Sequence, residues 1–540
     1  MPTSGTGRFT RKHWVILVLS LIPLAALPWT VDYWPGQDDP NHLALTHIVQ
    51  QFNEPGSPFP DYFTVNRDLS PYKLYYFLLI FLSRFMEIDA ANRVVVSTVI
   101  LGLPLVMLFW LRRFAPDRQT HVFLVCLLAT TLLPLIGFHA YMLSLIFGIA
   151  ALAMASGKPD AEGLRQPAGW GGLLAASVLL FIGAIAHPVA PVIIGAILFF
   201  IEAPGRKLVP WLRLAVVGTP AVILLGATSL ASPPNDNLAA FAPNFPGILP
   251  NIRVLLSNVI AFDRTEFLIR LPVLIALLSA GILALRGIGI RGQGRDQCLA
   301  RVFVVMLVAL FTLPNFPALN FLPERFAFLA LLIAAMLPLP SWIARRPRAL
   351  LGFTLVASLT LFFVQHRAAK SLSSEVAKVV EAGQDLPRGT KVLPLMFGSP
   401  EHGDKINPLR HAWGHLVLEK DIVTPYLFAN SSGFTIAGGG WRPVTYRDPF
   451  GPDNMLYMQE GLPDTMVKYE RFISESALRL MKELILETMA SYDRAILVLP
   501  PEDFVEEAME SMETVRRVDK VWVLKPRGDS TPDAEPEDEP

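Results

Sequence analysis

Between Trp14 and Val364 the chain repeats one pattern: an apolar run close to the ~20 residues a helix needs to cross a bilayer, then a short polar break. The runs predict membrane spans at about 14–31, 92–111, 120–137, 140–156, 169–186, 188–202, 213–231, 266–286, 300–316, 321–343 and 349–366. The first follows Arg8, Arg11 and Lys12 and has no convincing small-x-small cleavage site, so it reads as a retained anchor. One further apolar stretch, "PYKLYYFLLIFLSRFMEI" at 71–88, would invert every later loop if it crossed. Its tyrosines suit an interface, and it reads as a juxtamembrane or re-entrant helix.

After Gln365 the pattern changes. "SSEVAKVVEAG", "ESALRLMKELILETMA" and "EDFVEEAMESM" have helical periodicity, while "TKVLPLMFG", "YDRAILVLP" and "KVWVLKP" read as strands. The expected fold is therefore an α-helical polytopic membrane protein of about 11–13 transmembrane helices with a C-terminal α/β extracytoplasmic domain. Residues 1–366 form the transmembrane domain, with a first exterior loop at 32–91, and 367–527 form the soluble domain. Residues 528–540 carry six acids and no base, and are expected to be disordered.

Composition agrees with this reading. Only 17% of residues are charged, against about 25% in soluble proteins, and mean hydropathy is +0.43. The net charge of zero points to no class of partner, and no nucleic acid is expected. Of the two cysteines, Cys126 falls in an apolar run and Cys298 in a basic loop, so no disulfide staples the C-terminal domain.

Loop charge sets the topology. Arg112, Arg113 and Arg118 share one side with Lys158, Arg165, Arg206, Arg295, Arg301 and Arg345, and the positive-inside rule puts that side and the N-terminus in the cytoplasm. The opposite, exterior side then collects Asp38, Asp39, His42, His47, Arg67, Lys73, His139, His187, Glu324 and Arg325 from distant stretches. Polar groups at membrane boundaries are costly, so their gathering marks a candidate site.

Two readings of "QDDPNH" stay open. Asp38 or Asp39 can cap the helix that begins near Pro40. Either can instead act as a base, or join His42 in holding a divalent cation such as Mg²⁺ or Mn²⁺. Lys73 and Arg325 can snorkel to headgroups or bind a phosphate. His139 and His187 sit in tight turns, either structurally or facing the same cavity as the aspartates. In the soluble domain, His402, His411 and His415 read as a solvated segment rather than a zinc site, and "FTIAGGGWRPVTYRDPFGP" as a long loop.

Together, "GQDDPNHLALTHIVQQF", "RDLSPYKLYYFLLIFLSRF", "FLPERFAFLALLIAAMLPLP" and "RHAWGHLVLEKDIVTPYLFAN" resemble the GT-C superfamily of integral membrane glycosyltransferases. The resemblance implies a sugar donor linked to polyprenyl phosphate, transfer with inversion outside the cytoplasmic membrane, and a glycan, lipid or protein of the cell envelope as acceptor. It makes Asp38 or Asp39 the general base and puts Lys73 and Arg325 on the donor phosphate; the loop-charge topology adds His42, His139, His187 and Glu324 as residues expected to line the substrate site. "SPYK" departs from the lysine-proline-proline form of the best-studied branch, so the branch is unassigned. The rival readings are a non-catalytic scaffold or transporter component of envelope polysaccharide assembly, and a polymerase or ligase of lipid-linked oligosaccharides.

Overall fold

The computed structural model describes residues 9–67, 69–157, 168–202, 208–231, 245, 247–288, 294–314, 321–400, 405–427, 444–446 and 474–527. His402, most of the glycine-rich stretch at 434–452, the loop residues Lys158, Arg165 and Arg206, and the acidic tail lie outside the described residues.

Five described helices are long and apolar enough to cross a membrane: Arg11–Trp29, Ile88–Phe114, Leu208–Thr228, Thr265–Arg286 and Pro347–Ala382. The shorter apolar helices His139–Ala155, Trp170–Ala186 and Val189–Glu202 fall just under that length and pack with these into one apolar core. Arg112 lies over the rings of Phe9 and Trp14 at the N-terminal end of the bundle, where Arg118 also pairs with Asp296 at 2.6 Å. At the far end Arg93 donates to the carbonyl of Val31 at 2.9 Å. The stretch 71–88 forms only the ten-residue helix Lys73–Leu82, about 15 Å long, half of what a crossing requires.

The predicted span 120–137 is not one helix. It breaks into the short helices Val122–Cys126 and Leu132–Leu135 with irregular backbone between them. Exposed backbone of this kind is prohibitive in lipid, but every residue from His121 to Gly137 is buried in protein. Arg270 makes the break tolerable. Its guanidinium, fully buried, donates to the carbonyls of Leu127 (2.8 Å), Thr130 (2.8 Å) and Val259 (2.6 Å), to the Thr130 hydroxyl (2.9 Å) and to Glu266 (2.5 Å). Glu266 in turn accepts the backbone N–H groups of Phe262 and Asp263, and Gln365 donates to both Glu266 and Thr130. Cys298 is likewise not in a loop, but buried on the helix Arg295–Thr312.

The helix Pro347–Ala382 runs unbroken from the membrane bundle into the C-terminal domain, absorbing the amphipathic stretch expected as a separate element. The first loop contributes β1 (Phe63–Val65), and the domain contributes β2 (Val392–Met396), β3 (Val444–Tyr446), β4 (Arg494–Val498), β5 (Met512–Val518) and β6 (Val521–Pro526). The main sheet has the order β2-β4-β6-β5, with β2 parallel to β4 and the other neighbours antiparallel. β5 was not expected. Its outward charges mark it as an edge strand, which low hydrophobicity hides in the sequence. β1 pairs antiparallel with β3, tying the first loop to the domain.

The domain's apolar core takes in Ala44, Leu45, Ile48, Phe59 and Tyr76 from the first loop and the helix after it. At the centre of this docking, Gly414 lies so close to the helix Asp39–Gln51 that a Cβ there would stand 2.3 Å from the Pro40 carbonyl oxygen. Gly414→Ala is therefore expected to loosen the domain from the loop, read as faster proteolysis. Gly352→Ala, which meets no atom within 4 Å, serves as the unaffected control.

Candidate active site

Asp38 occupies the N-cap position of the helix Asp39–Gln51 but makes no side-chain capping bond, so the cap reading fails for it. Two glycines fix where the carboxylates go. A Cβ at Gly137, whose φ is +114°, would lie 2.8 Å from the Asp38 Cβ. That close approach lets the Asp38 N–H donate to the Ile136 carbonyl at 3.0 Å. At Gly36 a Cβ would lie 2.1 Å from Oδ2 of Asp39 and 3.0 Å from Nε1 of Trp34. Neither glycine stood out in the sequence, although both punctuate apolar surroundings beside residues that did.

The two aspartates face different partners. Asp39 is buried with Oδ1 2.7 Å from Nε2 of His139, whose side chain is fully enclosed at the start of the helix His139–Ala155. Asp38 stays partly open, with Oδ1 3.8 Å from Nε2 of His411. Burial raises the Asp38 carboxyl above its usual range, and the charges of His411 and Arg410 pull against that rise. His42 turns to a third partner, the Tyr76 hydroxyl at 2.7 Å from Nδ1. Asp38, Asp39 and His42 are thus not assembled as one ligand set. Among the described residues no group of three His, Cys, Asp or Glu is placed to hold a metal ion.

Tyr141, two residues beyond His139, lies against a cation. Arg325, 6% exposed, sits in the first turn of the helix Leu322–Ala334 with its guanidinium carbon 4.9 Å from the Tyr141 ring centre and 5.4 Å from that of Phe138. Its Nε has no hydrogen-bond partner among the described residues. His187 packs edge-on against Tyr141 at 5.4 Å and Tyr72 at 4.5 Å. Tyr72 and Phe321, the residues preceding the helices Lys73–Leu82 and Leu322–Ala334, both hold left-handed backbone, with φ of 69° and 60°. For bulky side chains this is strain, and both flank the arginine's aromatic surroundings. Phe321 does so through Phe138, 5.1 Å away.

The remaining candidates divide. Lys73 is buried, its ammonium donating to the Asn66 carbonyl at 2.9 Å and to Oδ1 at 3.2 Å. Glu324 accepts from the Asn258 amide through its backbone carbonyl at 2.8 Å. His47 pairs with Asp421 at 2.6 Å instead, and Arg67 is exposed.

His411 and His415 are not solvated: both are buried where the domain docks on the first loop. The chain's share of the site therefore includes the soluble domain, with Asn407 donating its N–H to Oε1 of Gln37 at 3.2 Å. Burial pushes His415 down to about 4, with Asp39 opposing the shift and Arg93 adding to it. Its imidazole is neutral when folded, while the unfolded chain takes up a proton below pH ~6.5. Stability from this group is thus complete above that pH and is lost as pH falls towards 4. Thermal melts between these limits should show the loss, and His415→Gln should flatten it.

Neither family models nor curated relatives match this chain. Solved structures do. The crystal structure of ArnT from Cupriavidus metallidurans bound to undecaprenyl phosphate superposes with a TM-score of 0.53 at 12% identity, over 96% of this chain and 99% of that one. The apo state of the same protein gives 0.50 at 11% identity, over 95% and 98%. At such identity the likeness establishes architecture, and it runs through the membrane helices and the C-terminal domain alike: the chain has the GT-C fold.

Proposed function

We propose that the protein is an inverting membrane glycosyltransferase. It would move a sugar from a polyprenyl-phosphate carrier to a cell-envelope glycan, lipid or protein on the exterior face of the cytoplasmic membrane. One observation carries this reading. The turn 138–141 reaches both chemistries, holding Asp39 through His139 and flanking Arg325 with Phe138 and Tyr141. The fold likeness to a protein solved with undecaprenyl phosphate supports the lipid carrier.

Asp38 is the base in this reading, because it is the less enclosed of the two carboxylates, and burial raises its own pKa above the usual carboxylate range. As the acceptor hydroxyl oxygen bonds to the anomeric carbon, its proton passes to Asp38. The bond from that carbon to the phosphate oxygen breaks on the opposite face, and its electron pair leaves on the phosphate. Arg325 stabilises the charge that develops there, in surroundings dry enough to make the interaction strong. Asp39 and His139 act as a positioning pair. Lys73 donates to Asn66, and a phosphate there would compete with that contact.

Binding of a polyprenyl phosphate to the purified chain tests this directly. Arg325→Gln should weaken it by about tenfold to a hundredfold, the loss of one charge-assisted hydrogen bond of ~1.5–3 kcal/mol. Unchanged affinity would remove the arginine from the donor site.

A further inference from the structure

The soluble domain meets the first aspartate through the turn Pro408–His411, which brings Nε2 of His411 to 3.8 Å from Oδ1 of Asp38. Asn407 fixes that turn. Its Oδ1 accepts the Leu409 N–H at 3.1 Å, its amide donates to the Ser399 hydroxyl at 3.1 Å, and its backbone N–H donates to Gln37, the residue before Asp38. Ile406 enters the apolar core of the membrane bundle, and Leu409 that of the domain. Between residues 405 and 411 the exposed side chains are those of Lys405 and Arg410.

Arg410 differs from the other arginines of its domain. From residue 388 onward Arg388, Arg479, Arg494, Arg516, Arg517 and Arg527 each donate to an acceptor of the chain. Arg410 and Lys405 make no side-chain hydrogen bond or ion pair among the described residues. Their charges nevertheless act on the site, Arg410 on Asp38 and Lys405 on Glu324, the neighbour of Arg325. A bare guanidinium beside a base works against it, because it lowers the carboxylate's affinity for a proton. That cost vanishes when an anion settles on the arginine and neutralises it. The anion gains as well. An acid approaching Asp38 is repelled unless a cation stands beside the carboxylate, and a guanidinium fork suits phosphate and carboxylate alike.

We propose that Arg410, assisted by Lys405, recognises an acidic group on the acceptor, a phosphate or a carboxylate. The proposal rests on the glycosyltransferase reading and adds to it the charge of the acceptor and the domain that selects it. The acid lies on Arg410 while a hydroxyl of the same molecule meets Asp38.

Saturation-transfer NMR on the full chain in phosphatidylcholine nanodiscs tests this, with a polyprenyl phosphate in excess to fill the donor site. Glucose 6-phosphate and glucuronate are the probes, and glucose is the neutral control. An acid should bind and glucose should not; the tighter of the two acids tells phosphate recognition from carboxylate recognition. Arg410→Gln should weaken the acid by about tenfold, with the melting temperature unchanged. Lys520→Gln, which removes another exposed charge at the turn between β5 and β6, should leave the affinity as it is. Equal weakening by Lys520→Gln would reduce the effect to net charge and overturn the proposal. Binding of glucose as tight as that of the acids, absence of acid binding, or wild-type affinity in Arg410→Gln would overturn it too. Failure of the transferase reading looks different: Arg325→Gln then leaves polyprenyl-phosphate affinity unchanged, while Arg410-dependent binding of the acid persists.

Discussion

Asp38→Asn is expected to abolish sugar transfer, by about 10²- to 10⁴-fold in rate, while the protein accumulates and melts as the wild type does. The amide keeps the shape of the carboxylate but cannot accept the proton. Asp39→Asn should behave differently, because it strips the partner from a fully enclosed His139. Both groups are buried, so altering this contact should lower stability along with activity. The pH profile adds a second reading. Burial holds the Asp38 carboxyl above its ordinary range, so the deprotonated base is lost as pH falls through that raised value. The acid limb of the rate should therefore lie at higher pH than an ordinary carboxylate would give. Full transfer by Asp38→Asn would sink the assignment of the base and favour a non-catalytic member of the fold.

Arg270→Met should be the most damaging single change in the membrane domain. It removes donors from three backbone carbonyls and leaves the Glu266 carboxylate buried without its cation. The expected cost is about 3–5 kcal/mol for the orphaned charge alone, read as loss of the monodisperse peak in size-exclusion chromatography. Pairing it with Glu266→Gln should recover part of the loss, because the two residues act as a unit. An undisturbed peak for the single variant would mean that the broken segment does not depend on this arginine.

This network also explains where the sequence misled. The stretch 120–137 is as apolar as its neighbours, and nothing local distinguishes a continuous span from a folded plug. The difference lies in Glu266, Arg270 and Gln365, more than a hundred residues further on, whose polarity is meaningful only once they meet Thr130. The gathering of Asp39, His139, His187 and Arg325 was more legible, because loop charge alone sorts the two ends of the bundle. What loop charge could not convey was how they pair, or that Asp38 caps nothing. His411 and His415 looked solvated because their burial comes from docking against Pro40, a contact permitted by the missing side chain of Gly414. The C-terminal strands and helices mostly follow their periodicity, except β5 and β3, the latter lying inside the stretch expected as a long loop.

The helix Pro347–Ala382 changes how the two halves can move. Its 36 residues make a rod of about 54 Å, with one end in the bilayer and the other beneath the sheet. A flexible linker would let the soluble domain swing as a lid; a rod turns it into a lever. Any tilt of the membrane end is delivered to the domain as a displacement, which its docking on the first loop through Gly414 and Pro40 has to absorb. For the same reason a cut at residue 366 would sever the lever in mid-shaft rather than separate two independent parts.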